Sequence, residues 1–268
     1  MVQNKVQVNG KTLAIRMNGT GEKAIFFIHG GSMSSKTWLA QLSDHELSAN
    51  YQLIAIDLPG HGNSQWFHEP DEYTLKKLGN LIRQLIELVK PGEFILAGLS
   101  YGTNVIGEIL PPLNNCKGLV LTSPCIINNQ LPPEVVITPG PFGHLIIAAN
   151  PPENELRDYI NYATSNKDVA ERTYKSYRNT DPAFRQAIGN VTASAGWSDE
   201  LNNIENWNVP VCVVFGTDEK LVKTNYLDTF SPLWNGKVYR IVHSAHIINE
   251  ENPAVFNQLL IDFAAAVF

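Results

Sequence analysis

Cysteine is scarce. Cys116, Cys125 and Cys212 are an odd number with no short paired spacing, which excludes both a disulfide framework and a cysteine metal site. They read as buried free thiols of a reducing compartment, so a soluble cytoplasmic protein is expected. No apolar run reaches membrane-spanning length, and the opening MVQNKVQVNG is polar and alternating, with no apolar signal core. Positive charge is also in deficit: 20 Lys and Arg stand against 26 Asp and Glu, for a net charge of −6. Without clustered cations, neither a nucleic acid nor an anionic membrane is an expected partner. Internal repeats and low-complexity segments are absent too.

What remains is 268 residues, 44% hydrophobic, enough to bury a large core as one domain with an insertion. Val2–Val8 and Thr12–Met17 alternate around Asn9-Gly10, a hairpin signal. Ala24–Ile28, Leu53–Ile56, Phe94–Ala97, Leu119–Thr122 and Val211–Phe215 are short apolar runs, the pattern of parallel strands covered on both faces. Val238–Val242 adds another strand. Leu75–Val89 carries Leu75, Leu78, Ile82, Leu85, Ile86 and Val89 on one helical face, and Pro91-Gly92 stops it. Thr103–Leu110 reads as a helix ended by Pro111-Pro112, and Ala254–Phe268 as a closing amphipathic helix. Alternating strands and helices predict an α/β fold with a mostly parallel sheet flanked by helices. Residues 124–208 break the pattern: they are rich in Pro, Asn and aromatics, lack a buried-strand run and look helical from Asn154 to Tyr177. The expected organisation is a core of residues 1–123 and 209–268, with 124–208 as a helical cap over the ligand-binding edge of the sheet.

The densest chemical signal is Gly98-Leu99-Ser100-Tyr101-Gly102, directly after a buried strand and opening a helix. A sharp strand-to-helix turn exposes a serine hydroxyl, the flanking glycines allow close backbone approach, and the helix N-terminus favours a developing oxyanion. Ser100 is therefore the candidate nucleophile. It needs a base. Of seven histidines, His61 sits in a tight Pro-Gly-His-Gly turn, while His45, His68 and His144 lie in polar or cap segments. His243 and His246 remain, both just past the last strand. His29-Gly30-Gly31-Ser32 follows the first central strand; His29 reads as structural there, and Ser32 either lines the site or caps the next helix. The turn Gly216-Thr217-Asp218-Glu219-Lys220 offers two neighbouring carboxylates, of which one should face the site.

His29-Gly30-Gly31, Asp57-Leu58-Pro59-Gly60-His61-Gly62-Asn63-Ser64, Gly98–Gly102 and Ala245-His246 together resemble the α/β-hydrolase superfamily signature over essentially the whole chain. That resemblance implies the α/β-hydrolase fold, with the base in the loop after the final strand, hence His246. It places the acid in the turn after the penultimate strand, commonly G-x-x-D, where this chain departs by carrying Glu219. Asp218 would serve if the loop were one residue shorter. The backbone N–H groups of Gly31 and Tyr101 are implied as the oxyanion hole. Gly216–Val222, Leu233-Trp234-Asn235-Gly236-Lys237 and His246 are further similar to the α/β-hydrolase N-acyl-homoserine lactonases, which also carry Glu as the acid. This narrower similarity puts Tyr159 near a substrate; if Ser32 lines the site, it is the second candidate for substrate contact.

The implied activity is a serine hydrolase that opens carboxylic esters or lactones through an acyl-enzyme, with a small-molecule partner and neither metal nor organic cofactor. Two alternatives use the same triad, a carbon–carbon bond hydrolase and a lyase of menaquinone-biosynthesis type. A third, from another class, is a ligand receptor on a hydrolase scaffold.

Overall fold

The apolar runs become strands of one sheet in the computed structural model, which describes residues 1–268. The strands are β1 (Val2–Val8), β2 (Lys11–Asn18), β3 (Ala24–Ile28), β4 (Gln52–Ile56), β5 (Phe94–Leu99), β6 (Cys116–Thr122), β7 (Val211–Gly216) and β8 (Tyr239–Ile241). Their spatial order is β1-β2-β4-β3-β5-β6-β7-β8. β1 and β2 form the hairpin about Asn9-Gly10 and join β4 antiparallel; every other pairing is parallel. This is the α/β-hydrolase fold.

Alternation along each strand sends side chains to opposite faces. Phe26, Leu96 and Val213 face α3 (Leu75–Val89) and α4 (Tyr101–Gly107), within one apolar cluster. Phe27, Ile95 and Val214 join Phe256, Leu260 and Phe263 of α11 (Pro253–Val267) in a second. Both faces are thus covered, which is why the central strands carry no polar alternation. Shorter helices α1 (Leu39–Leu42), α2 (His45–Asn50) and α10 (Ile248–Glu251) complete the second face.

Two helices differ from the sequence reading. The helix read as Thr103–Leu110 runs instead from Tyr101 to Gly107, well before Pro111. Its end is tightened by bonds from Glu108 N–H to Val105 O and from Ile109 N–H to Ile106 O, and Asn203 Nδ2 takes the Gly107 carbonyl at 2.8 Å. Leu110, preceding proline, is disfavoured in helix. The stretch Asn154–Tyr177 is two helices, α6 (Glu153–Ala163) and α7 (Lys167–Arg178). Thr164 is extended, and Asn166 Oδ1 restarts the helix by accepting the N–H groups of Asp168 and Val169, a cap worth about 1 kcal/mol. Between β6 and β7 the chain also forms α5 (Pro133–Val136), α8 (Pro182–Ser194) and α9 (Glu200–Glu205).

Candidate active site

The turns at the carboxyl ends of β3, β5, β7 and β8 converge on one cavity of about 400 Å³, where open α/β sheets bind ligands. Its wall includes Gly31, Ser32, Ser100, Tyr101, Tyr159 and His246, and most of its lining is hydrophobic.

Ser100 joins β5 to α4 at φ 51° and ψ −122°, a conformation costly for a residue with a side chain. The strain is held by the surroundings. Ser100 N–H donates to Thr122 O at 2.9 Å, and Thr103 donates to Ser100 O through N–H and hydroxyl at 2.7 and 2.6 Å. A Cβ at position 102 would collide with the carbonyl oxygens of Ile28 and His29, so only glycine lets α4 approach β3 this closely. Tyr101 opens α4, where first-turn N–H groups have no intrahelical acceptor. Gly31 lies beside it: a Cβ there would stand 3.6 Å from Tyr101 Cβ.

His246 Nδ1 and Glu219 Oε2 are 2.8 Å apart, with side-chain exposures of 8% and 0%. Glu219 Oε1 accepts the Leu221 N–H at 2.8 Å, which fixes the second oxygen. Burial alone would lower the His246 pKa, yet the Glu219 carboxylate outweighs it and the pKa is raised. Burial likewise pushes Glu219 up, but the facing imidazolium and its hydrogen bonds leave it lowered. The geometry separates the candidates left open by the sequence. Asp218 is exposed, and its carboxylate accepts only from the Thr217 hydroxyl, at 3.2 Å. His243 is exposed and off the cavity. Ser100 and His246 share the cavity wall without a direct hydrogen bond, a spacing common before substrate binds.

The other histidines of the motifs are structural. His29 Nδ1 donates to Gly30 O at 2.7 Å and its Nε2 accepts the Leu58 N–H at 3.0 Å. His61 Nδ1 donates to Pro59 O, leaving Nε2 to accept the Ser32 N–H at 3.2 Å. Burial lowers both pKa values, which keeps these acceptors neutral. Ser32 caps no helix: it is buried at φ 57° on the cavity wall. The Tyr159 side chain reaches the same wall from α6, and burial pushes its hydroxyl pKa up.

A family model described as alpha/beta hydrolase family matches residues 25–259. The chain belongs to that family. It is an enzyme of the hydrolase fold, and its relatives are diverse. It is 25% identical over 274 residues to (E)-2-((N-methylformamido)methylene)succinate hydrolase of Acinetobacter baylyi, covering 97% of each chain. Against the chloroplastic protein PHYLLO of Arabidopsis thaliana the identity is 26% over 130 residues, 44% of this chain but only 8% of that much longer protein. Among solved structures, a mutant of N-acyl homoserine lactonase AidH complexed with N-hexanoyl homoserine lactone superposes with a TM-score of 0.89 at 22% identity, covering 98% of this chain and 97% of that one.

Around the site of this hydrolase stand residues that sequence reasoning passed over. Glu251 accepts the N–H groups of Ala245 and Ile247, both at 3.0 Å, and so grips the chain on either side of His246. Ser123 Oγ donates to His246 O at 2.9 Å, and His246 N–H to Ala163 O of α6 at 3.2 Å. Behind Ser100, Asn104 donates to Glu200 Oε2 and to Cys125 O, both at 2.7 Å, and accepts the Cys125 thiol at 2.9 Å. The only sequence signal for Glu251 was its place five residues after His246; Asn104 and Glu200 had none, because a polar residue on a helix reads as solvent-facing.

Proposed function

We propose that the protein is a serine hydrolase of neutral carboxylic esters or lactones with apolar acyl groups. The observation that carries this reading is the shielded Glu219–His246 pair at 2.8 Å, set on the same cavity as a serine in a strained turn. Glu219 occupies Nδ1, which leaves Nε2 of His246 to take the Ser100 proton as Oγ attacks the carbonyl. The Gly31 and Tyr101 N–H groups bind the tetrahedral oxyanion; each such donor contributes about 2.7–4 kcal/mol to the transition state. His246 then protonates the leaving alkoxide, and water activated by the same imidazole hydrolyses the acyl-enzyme. With a lactone, the leaving hydroxyl stays tethered to the product. In this reading residues 124–208 act as a cap over the core of 1–123 and 209–268, supported by the cavity residues Tyr159, Ile160, Ile188 and Val191 that they contribute. The unpaired cysteines support a cytoplasmic location.

Neither Lys nor Arg lines the cavity, and its charged lining groups are Glu134 and His246. That disfavours the succinate-type substrate named for the Acinetobacter relative, and any acidic lyase substrate, since each carboxylate would enter without a counter-charge. The neutral lactone held by the structural neighbour fits the lining better.

The test is steady-state turnover of a p-nitrophenyl ester and of short- and long-chain N-acyl-homoserine lactones by wild type and Ser100→Ala. Multiple turnovers that vanish in Ser100→Ala are expected, with lactone kcat/KM above that of the ester. Binding without turnover would favour a receptor, and turnover indifferent to Ser100 would overturn the mechanism.

A further inference from the structure

Arg185, on α8, is 3% exposed, yet its hydrogen bonds run to neutral oxygens. Nε donates to Ala148 O at 2.8 Å, Nη2 to Ala149 O at 2.6 Å and Nη1 to Ser32 Oγ at 3.4 Å. Its guanidinium lies 4.2 Å from the Tyr177 ring centroid, and the Tyr177 hydroxyl bonds the same segment at Leu145 O, 3.0 Å away. The nearby carboxylate of Asp181 is engaged elsewhere, by the Tyr73 hydroxyl and the N–H groups of His68 and Ala183. A buried charge without an ion-pair partner is costly, and an unbranched apolar side chain would fill the same space more cheaply. Retaining the charge therefore requires a use for it.

Its bonds point to that use. One arm holds the segment that carries Ile146 and Ile147 onto the cavity wall. The other reaches Ser32, the residue after Gly31, whose own N–H is held from below by His61. Ser32 sits at positive φ, so its conformation depends on such partners. We infer that Arg185 is a positioning residue for the oxyanion loop: through Ser32 it fixes the aim of the Gly31 N–H, and its positive field favours the charge that develops there. The inference rests on the acyl-transfer reading above and extends it to a residue off the cavity surface.

The test compares wild type, Arg185→Met, Arg185→Lys, Ser32→Ala and the Ser32→Ala/Arg185→Met double variant on a p-nitrophenyl ester. Each is also titrated with a trifluoromethyl ketone bearing the same acyl chain, whose serine adduct carries the oxyanion. Arg185→Met is expected to lower kcat about 10- to 100-fold, less than outright loss of an oxyanion donor, with KM changed less than about twofold. Ketone affinity should fall in proportion to kcat/KM, Arg185→Lys should restore part of both, and the double variant should be no slower than Arg185→Met. A change confined to KM and Tm, with ketone affinity intact, would make Arg185 a wall strut and overturn the inference. If Arg185→Met does not fold, Arg185→Lys and Ser32→Ala decide: wild-type kcat and ketone affinity in both would overturn it. Absence of Ser100-dependent turnover in the wild type would instead sink the acyl-transfer reading, and this inference with it.

Discussion

His246 Nδ1 meets Glu219 Oε2 at 2.8 Å inside the protein, while Asp218, one residue earlier, stays in water. The two carboxylates of one turn therefore have different work. Glu219→Gln keeps the shape but presents the wrong hydrogen-bonding partner for the tautomer, and kcat should fall about 10³- to 10⁴-fold. Asp218→Asn should change kcat less than about twofold, as ordinary surface substitutions do. Steady-state kinetics on purified, folded variants decides between them.

The same pair sets a pH dependence. Because the His246 pKa is raised above its ordinary 6.5, the acid limb of kcat/KM should lie above that value. In Glu219→Gln the main opposition to burial is gone and only the Glu251 carboxylate still offsets it, so the residual activity should show the limb displaced to lower pH. The stability sign follows from linkage. The raised His246 contributes fully below 6.5, and its contribution is lost as pH rises through the folded pKa; the lowered Glu219 contributes fully above 4.5 and loses that as pH falls. The Tm difference between wild type and Glu219→Gln should therefore be largest between pH 4.5 and 6.5. A flat difference across pH 4 to 9 would mean that the pair is not coupled as the geometry requires.

Gly102→Ala inserts a methyl group against the Ile28 and His29 carbonyls, backbone at the end of β3 and the start of the loop after it, which cannot swing aside as a side chain would. A loss of about 1–3 kcal/mol is expected from such overpacking. It should appear as a lower denaturant midpoint, with a drop in kcat as α4 and the Tyr101 N–H shift together. An unchanged midpoint would contradict the close approach.

Glu200 is fully buried, and burial raises its pKa well above 4.5 despite hydrogen bonds from Ile127 N–H and Asn104. The folded chain keeps its proton where the unfolded chain releases it, so Glu200 costs stability as pH rises above 4.5. Glu200→Gln presents the same acceptor without an ionisable proton. It should match wild type in acid and exceed it in Tm at neutral and alkaline pH. A Tm deficit at pH 8, read by differential scanning fluorimetry, would show that the glutamate is needed as an anion.

The core strands were legible because a strand covered on both faces has no polar alternation, as in Ala24–Ile28 and Val211–Phe215. The elbow at Ser100 was legible because its chemistry demands glycines at fixed offsets. Relations across the chain were not. Nothing local marks Arg185 or Glu200 as buried, since burial of a charge is decided by partners such as Ala148 or Asn104, some 37 and 96 residues away. The Asn166 cap was missed for another reason: Asn154–Tyr177 keeps apolar residues at helical spacing on both sides of it, so the period ran through the break.

The groups assigned to proton transfer stand on turns anchored in the sheet, whereas much of the wall facing them comes from helices α6 and α8. Changes at Ile160, Ile188 or Val191 can reshape what enters without moving the Glu219–His246 pair. Selection can therefore explore new substrates at these positions while holding the chemistry constant, and a small randomised library there is a direct route from this scaffold to new specificities.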